Sequence, residues 1–407
     1  LTFWVFLETH SILATSLIAG IFAVLNSFTA FFFGAIVDHN KKKTAMLLSS
    51  SASLFLYAVG FFIIAGSPAE SFTNPASVYL WVFIIVMMVG SIIGNVRTIA
   101  LTTLVSILFS DEERPRINGL VGTVQGISFA ATSVLSGLAI AYLGMKLAVL
   151  CALSTTLLVV AHLASRRFGS KDIVYAQKHT NASLIDVQGT IALLKETPGI
   201  ISLILFTSFN NFLGGVFMAL MDSYALSNMS VDTWGVSLAV LSTGFILGGA
   251  LVAKYGLGKS PIKTLFRVNA VAWTTAMLFT VPNITIVFLV GIFMWMVFGP
   301  IAEAAESTIL QKIIPIERHG RTIGFAQTVE QMASPLTAFL IGPITQFFFI
   351  PFMTVGWGAE TIGPWFGTGT VRAMALVFTL TGAIGLVASC VAMHSKAAKR
   401  IEREYNA

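Results

Sequence analysis

The chain has 407 residues, of which 56% are hydrophobic and only 10% are charged, and its formal net charge is +6. A soluble protein carries about 25% charged residues, so this composition excludes an ordinary soluble enzyme or a nucleic-acid-binding protein. Apolar runs of about 20 residues, the length that crosses a bilayer, recur from one end of the sequence to the other. The composition therefore predicts an all-α polytopic membrane protein whose surroundings are lipid.

The first stretch, residues 1–7, is apolar but too short to cross a bilayer, and it has no charged leader. We expect it to be the end of a first membrane helix that lies mostly upstream. A polar connection is predicted at residues 8–11. Five further membrane helices follow in the first half, bounded by charged or Pro-containing loops. They are predicted at 14–37, 44–65, 78–109, 117–143 and 147–164.

The longest polar segment, residues 165–198, is basic and nearly without aromatic residues. Residues 183–186 have the form of a capping box, and the apolar residues that follow share one helical stripe. This pattern predicts an amphipathic helix on the membrane surface. The segment would link two halves of the chain.

The second half repeats the plan of the first and ends in a basic tail. Its membrane helices are predicted at 200–221, 236–253, 261–281, 284–314, 322–349 and 371–393. The predicted organisation is a truncated six-helix bundle, a cytoplasmic linker, a second six-helix bundle and a cytoplasmic tail, at 1–164, 165–198, 199–394 and 395–407. The complete protein would then have twelve membrane helices.

Lysine and arginine are concentrated in alternate loops, and the opposite loops contribute only Lys146 and Arg372. Cytoplasmic loops of membrane proteins carry this excess of positive charge. The asymmetry therefore places the loop at 38–43, the linker and the tail in the cytoplasm. Both termini of the complete protein would be cytoplasmic.

The two halves are similar in sequence. Residues 116–124 align without a gap to residues 321–329, with Arg, Gly, Thr and Val at matching positions. At a slightly different offset, residues 34–37 match residues 249–252. Six-helix units in the same orientation form a parallel repeat, as in one large class of secondary transporters, and they exclude an inverted repeat.

Three cytoplasmic loops carry a family resemblance. The Gly34-x-x-x-Asp38-x-x-x-Lys42-Lys43 spacing, the sequence after the fourth helix at 113–119 and the sequence at 314–321 together resemble the major facilitator superfamily. The last of these, with Ser-Pro-Leu and Gly-Pro pairs downstream, is most similar to bacterial drug exporters of the macrolide-efflux and enterobactin-exporter type. The resemblance implies a monomeric transporter in a bacterial plasma membrane, with two six-helix bundles.

Two features of the drug:proton antiporters are missing. The position of their fourth-helix arginine holds Met87, and their fifth-helix Gly-Pro signature is reduced to residues 132–137. The resemblance also implies that Asp38 contacts the start of the eleventh predicted helix (322–349) and so holds the cytoplasmic side closed. Ala253 stands at the matching position of the second half, so such a contact would be one-sided. The candidate conformational-switch residues are Gly34, Asp38, Lys42, Lys43, Arg114 and Arg321.

Four ionisable residues lie inside predicted spans, where charge is costly and points to function. Glu303 and Glu306 share one face of the tenth predicted helix (284–314) because they are three residues apart. Glu330 lies in the eleventh (322–349) and Arg97 in the fourth (78–109). They are predicted to form either a proton-titrating gate or a structural ion-pair network.

Polar and aromatic residues of the helices that line the cavity in this family are the candidate substrate contacts. Adjacent asparagines in a membrane helix need partners, and aromatic faces suit amphipathic or cationic solutes. The candidate cavity residues are Asn210, Asn211, Gln125, Asn26, Trp295 and Phe298.

The sequence has no Gly-x-x-x-x-Gly-Lys-Ser/Thr motif, metal cluster or nucleophile triad. Neither an enzyme nor a cofactor is expected, and a gradient must supply the energy. The predicted function is alternating-access efflux of an amphipathic drug-like or natural-product molecule in exchange for protons. One alternative is a gradient-driven or facilitated carrier of a metabolite, siderophore, lipid or ion without proton antiport. Another is a non-transporting receptor on a transporter fold.

Overall fold

The computed structural model describes residues 1–9, 12–138, 144–165, 187–197 and 199–406. These residues form helices joined by short turns, and no strand occurs among them. The fold is therefore all-α, as a bilayer requires of a chain that must satisfy its backbone hydrogen bonds within each segment.

The helices of the first half begin with α1, which is short, and continue through the membrane-spanning segments. Their bounds are α1 Thr2–Thr9, α2 Ile12–His39, α3 Lys42–Gly66, α4 Val78–Ile93, α5 Asn95–Leu108, α6 Arg114–Leu138 and α7 Gly144–Ser165. The linker contributes α8, Val187–Glu196. Its predicted capping box at 183–186 lies outside the described residues, as does the end of the predicted fifth helix at 139–143.

The second half begins at α9 and ends with a tail helix. The bounds are α9 Ile200–Leu226, α10 Val231–Leu241, α11 Thr243–Tyr255, α12 Pro261–Leu278, α13 Thr285–Ile313, α14 His319–Ile344, α15 Ile350–Thr354, α16 Trp357–Thr361, α17 Gly363–Phe366, α18 Thr370–His394 and α19 Lys396–Asn406. The three short helices α15, α16 and α17 lie in the Gly-, Pro- and Trp-rich segment that connects α14 to α18.

Two helices that were predicted as continuous are divided. The fourth is split into α4 and α5 at Gly94, and the eighth into α10 and α11 at Ser242. The eighth also begins earlier than expected, because the Ser230 side chain accepts a hydrogen bond from the Thr233 N–H and caps α10. Residues 8 and 9 of the predicted polar connection are helical, and the Glu8 carboxylate accepts a hydrogen bond from the Trp4 indole. Residues 10 and 11 of that connection lie outside the described residues.

Nine segments of the described chain are long and apolar enough to cross a membrane. The helices α6 and α12 do not meet this criterion, and each carries two basic residues near its start. Their positions in the chain still match the predicted fifth and ninth membrane helices.

The described chain divides into two compact units. The first comprises residues 1–108, 132–192 and 314–328, and the second comprises 109–131, 193–313 and 329–407. The start of α14 thus belongs to the first unit and the start of α6 to the second. Each unit has its own apolar core, around Trp4, Phe72 and Phe83 in the first and around Phe217 and Phe378 in the second.

Candidate functional site

Asp38 ends α2 and caps the first turn of α14 within the first unit. Its Oδ1 accepts a hydrogen bond from the Gly320 N–H (2.7 Å) and its Oδ2 accepts from the Arg321 N–H (2.8 Å). The Arg321 Nε atom lies 3.8 Å from the same Oδ2. The carboxylate is buried and faces the positive end of the helix dipole, where an anion is favoured. We refer to these contacts as the Asp38 cap.

Glycines allow α2 and the start of α14 to approach closely. A Cβ on Gly34 would overlap the carbonyl oxygen of Gly320, and a Cβ on Gly324 would overlap the carbonyl oxygen of Ala30. Small residues at a helix–helix contact permit such backbone proximity in membranes. Gly34 is therefore needed for the distance at which Asp38 reaches the α14 amides.

The basic residues beside Asp38 make separate contacts. Lys42 is buried and its Nζ donates to the Val37 carbonyl (2.7 Å), which closes the end of α2. Lys43 donates to the carbonyl of Ala164 at the end of α7 (3.4 Å). The Arg321 guanidinium lies 3.0 Å from His39 Nε2. Lys42 thus joins the start of α3 to the end of α2, and Lys43 joins it to the end of α7.

The sequence repeat has a structural counterpart in the second unit. A Cβ on Gly249 would meet the backbone of Thr123 and Gly119, so α11 packs on α6 as α2 packs on α14. The position that corresponds to Asp38 is Ala253, whose backbone N–H lies against Gly119. This second contact therefore lacks a capping carboxylate at that position.

The start of α6 is held instead by the end of α13. Arg114 Nη1 donates to the Gln311 carbonyl (3.1 Å), and Asn118 Nδ2 donates to Gln311 Oε1 (3.0 Å) and Thr308 Oγ1 (2.9 Å). Arg114 also forms an ion pair with Asp111. All of these hydrogen-bonded side chains on α6 and α13 are buried.

Two of the three intramembrane glutamates contact each other in the second unit. The side chains of Glu306 of α13 and Glu330 of α14 lie close enough to interact, and Glu306 also lies near Thr207 of α9. Two neighbouring carboxylates repel each other when both are ionised, so a proton on one of them is favoured. The Oε1 atoms of both glutamates are buried and have no hydrogen-bond partner among the described residues.

The side chain of the third glutamate, Glu303, lies near that of Gln125 of α6. Both side chains are exposed, whereas Glu306 and Glu330 are half-buried. Gln125 and Glu330 occupy matching positions of the repeat, directly after the Thr-Val pairs at 123–124 and 328–329. The pseudo-equivalent residues thus each lie near one acid of α13. We call Glu303, Glu306 and Glu330 with Gln125 and Thr207 the acid cluster.

Close helix contacts assemble the acid cluster. A Cβ on Gly215 of α9 would overlap the Ser334 carbonyl of α14, and a Cβ on Gly126 of α6 would meet the backbone of Ile246 in α11. The proline at position 300 lies inside α13, one turn before Glu303. Proline removes a backbone hydrogen bond there and permits a bend.

Arg97, the predicted cation of the cluster, lies in the first unit. Its Nη1 atom donates to Ser50 Oγ (3.3 Å), and its guanidinium is near Tyr57. The predicted pairing of Arg97 with the three glutamates stays a prediction.

The candidate cavity residues have different partners. Asn210 Nδ2 donates to the Phe206 carbonyl (2.8 Å) and its Oδ1 accepts from the Trp273 indole (2.5 Å), so Asn210 is satisfied by the core of its unit. Asn211 lies one turn after Thr207, on the face that is near Glu306. Asn211 is thus better placed than Asn210 to meet a solute beside the acid cluster.

The remaining candidates are half-buried. Asn26 Oδ1 accepts from Asn95 Nδ2 (2.6 Å) at the start of α5. Trp295 stacks on Phe217, with ring centroids 6.1 Å apart. Phe298 has no ring partner among the described residues.

Several site residues were not predicted from the sequence, among them Asn118, Gln311, Thr207, Asn95 and Trp273. Each is polar or amphipathic, and its residue type was the only signal present. His319 is another, buried between Ser106 Oγ (2.7 Å from Nδ1) and the Ile314 carbonyl (2.6 Å from Nε2). Ser106 lies far from His319 in the chain, so that contact could not be read from sequence spacing.

The family model of the Major Facilitator Superfamily matches residues 2–338. The chain belongs to the major facilitator superfamily. Membership confirms the prediction that the protein is a membrane transporter with a small-molecule substrate. It also confirms that the protein is a transporter and not an enzyme. A search of curated proteins found no match.

Solved structures of this superfamily share the fold at 14% sequence identity. A bacterial homologue of the iron transporter ferroportin in an outward-facing state has a TM-score of 0.68, over 97% of this chain and 94% of that one. The human organic anion transporter MFSD10 gives 0.66 over 92% and 83%, with 14% identity. The E. coli fucose:proton symporter gives 0.60 over 93% and 92%, also with 14% identity. These likenesses confirm the major facilitator fold and leave the cargo open, since one fold serves many solutes.

Proposed function

We propose that this transporter exports an amphipathic drug-like or natural-product molecule in exchange for protons, by alternating access. The observation that carries the proposal is the proximity of two carboxyl groups, those of Glu306 and Glu330, inside the second unit, each with a buried Oε1 that has no hydrogen-bond partner among the described residues. A membrane-embedded carboxyl pair that shares a proton can lose that proton when one partner is drawn away. Such a pair has the chemistry of a proton carrier.

Glu303 provides the accessible end of the acid cluster. Its exposed carboxylate lies beside Gln125, so water or a cationic group of a solute can reach it. Competition between solute and protons for the same carboxylates couples their movements in opposite directions. The half-buried Trp295, whose ring stacks on the buried Phe217, offers an aromatic face in the same unit, which supports an amphipathic solute.

The Asp38 cap supports the alternating-access part of the proposal. A buried carboxylate that accepts two backbone N–H groups of another helix holds strongly while the helices are in contact. Its bonds are lost as a set when α2 and α14 separate. The cap would therefore stabilise one conformational state of the transport cycle.

Proton exchange can be measured in inside-out vesicles with an acidic interior, read by a quenched pH-sensitive dye. A macrolide, a lipophilic cation and a siderophore would be added in turn. We expect substrate-dependent dequenching by the unaltered protein, and its loss in Glu330→Gln, Glu306→Gln or Glu303→Gln. The matched control is Glu360→Gln, an exposed carboxylate of the same unit outside the acid cluster, which should keep full dequenching.

The contrary results are distinct. Dequenching that survives all three cluster variants would remove the coupling role from the acid cluster. Labelled substrate that moves without dequenching would contradict antiport and leave a facilitated or ion-coupled carrier of a metabolite, siderophore, lipid or ion. The absence of any saturable flux would favour a non-transporting receptor.

A further inference from the structure

The tail helix α19 is amphipathic, and one of its faces is packed against the second unit. Ala398 and Ile401 are buried, and the Ile401 side chain lies against Gly199 at the start of α9. The Lys312 ammonium at the end of α13 lies 4.7 Å from the centre of the Tyr405 ring, a cation–π contact. The position of α19 is therefore fixed by contacts with α9 and α13.

A stripe of α19 beside the packed face borders a cavity of about 530 Å³ at the start of α12. Four of its lining residues follow one face of α19 at helical spacing, and the fifth lies in the first turn of α12. The lining residues are Lys263, Lys399, Glu402, Arg403 and Asn406. None of them is apolar, so the cavity suits a charged or strongly polar ligand.

The charge of the cavity is positive. Glu402 accepts a salt bridge from Lys263 (2.6 Å) and a hydrogen bond from Ser260 Oγ (3.2 Å). These contacts, that of Lys263 first, lower the pKa of Glu402, so Glu402 stays ionised and neutralises Lys263. The charges of Lys399 and Arg403 remain, and neither side chain forms an ion pair within the part of the chain that the structure describes.

The start of α12 adds to the positive potential. Ser260 caps the helix, Pro261 occupies its first turn, and no acidic residue lies there. The N-terminus of a helix carries a partial positive charge that favours anions. Two cationic side chains one turn apart and a helix N-terminus thus surround the same space.

We propose that this cavity binds the phosphate headgroup of an anionic phospholipid. The ninth membrane helix of the predicted topology begins at residue 261, so Lys263 would lie at the depth of lipid headgroups. The same topology places this end of the unit in the cytoplasmic leaflet, whose anionic lipids attract basic residues next to the membrane. A lipid phosphate is therefore favoured over a soluble phosphate compound.

Binding can be measured with the full-length protein in a neutral detergent, titrated with dioctanoyl phosphatidylglycerol and followed by the shift in unfolding temperature. The cavity variant is Lys399→Gln with Arg403→Gln. The matched control is Lys396→Gln with Arg400→Gln, which removes the same two residue types from exposed positions of the same helix outside the cavity. A basic residue near a membrane surface contributes about 1 kcal/mol to anionic lipid binding, so we expect roughly 30-fold weaker binding in the cavity variant.

The control variant should bind within about threefold of the unaltered protein. Glu402→Gln, which removes the negative charge of the cavity, should bind the lipid roughly fivefold more tightly. This variant still tests the proposal if the cavity variant folds poorly. Equal weakening in the cavity and control variants would overturn the proposal. Equally tight binding of dioctanoyl phosphatidylcholine or of free glycerol 3-phosphate would overturn the anionic-lipid assignment.

Discussion

At the scale of single residues, Asp38 shows how one carboxylate joins two helices. Its two oxygens accept from consecutive backbone N–H groups at the start of α14, at 2.7 and 2.8 Å. The first N–H groups of a helix have no partner within the helix, so the carboxylate satisfies groups that would otherwise be buried without a bond. The contact stabilises the start of α14 as well as the contact with α2.

Replacing Asp38 with Asn should weaken the Asp38 cap. The amide keeps one acceptor oxygen but turns an NH2 group toward a backbone N–H, which leaves a buried donor unsatisfied and costs about 1–3 kcal/mol. We expect faster hydrogen exchange in the peptide that contains Gly320 and Arg321. The control is Asp222→Asn, an exposed aspartate whose single bond, from the Trp234 indole to Oδ1, an amide can keep. Unchanged exchange at Gly320 in Asp38→Asn would contradict the assigned role.

At the scale of helices, glycine faces decide which segments touch. In the first unit α2 meets the start of α14 through Gly34 and Gly324, and in the second unit α11 meets the start of α6 through Gly249 and Gly119. Lipid tails are as apolar as leucine, so close packing and hydrogen bonds, and not hydrophobic burial, hold such helices together. The residues that repeat in the sequence therefore form equivalent helix–helix contacts in the two units.

Gly34→Ala should destabilise the protein, since the new Cβ would overlap the Gly320 carbonyl oxygen. Overpacking of this kind costs about 1–3 kcal/mol, which would appear as a lower unfolding temperature in detergent. Gly20→Ala is the matched control on the same helix, because a Cβ there meets no described atom within 4 Å. Alanine at Gly20 should be neutral or slightly stabilising. Equal effects of the two substitutions would contradict the close approach at Gly34.

At the scale of the whole molecule, the distribution of charge predicts how the protein lies in the membrane. Lysine and arginine fill the loop at 41–43 and the tail, while the loop at 67–77 has neither. Positive loops remain on the cytoplasmic side during insertion. The proposals for the Asp38 cap and for the lipid cavity both place their sites on that side.

Cysteine labelling tests this orientation. In a background with Cys151→Ser and Cys390→Ser, single cysteines would replace the exposed residues Asn40 and Asn74. An impermeant maleimide applied to intact cells should label Asn74→Cys, and should label Asn40→Cys only after the membrane is permeabilised. The reverse pattern would mean that the orientation is inverted.

The sequence alone determined the class, the helical architecture and the repeat, whereas the contact of Asp38 with the start of the eleventh predicted helix was expected only from the family resemblance. Hydrocarbon forces the backbone to form helices, so long apolar runs translate directly into structure. The i,i+3 spacing of Glu303 and Glu306 likewise placed both acids on one face of α13. The interruptions at Gly94 and Ser242 could not be predicted, because both lie in apolar runs that continue beyond them.

Only the tertiary structure decided which acids and amides meet. Glu330 lies near Glu306, and Gln125 lies near Glu303, because helices far apart in the chain approach through glycine contacts. The lipid cavity depends in the same way on packing, since Ile401 on Gly199 holds α19 against α9 while Glu402 reaches Lys263 of α12. Sequence spacing fixes the neighbours within one helix, whereas contacts between helices depend on the shapes of their whole faces, and those exist only once the chain has packed.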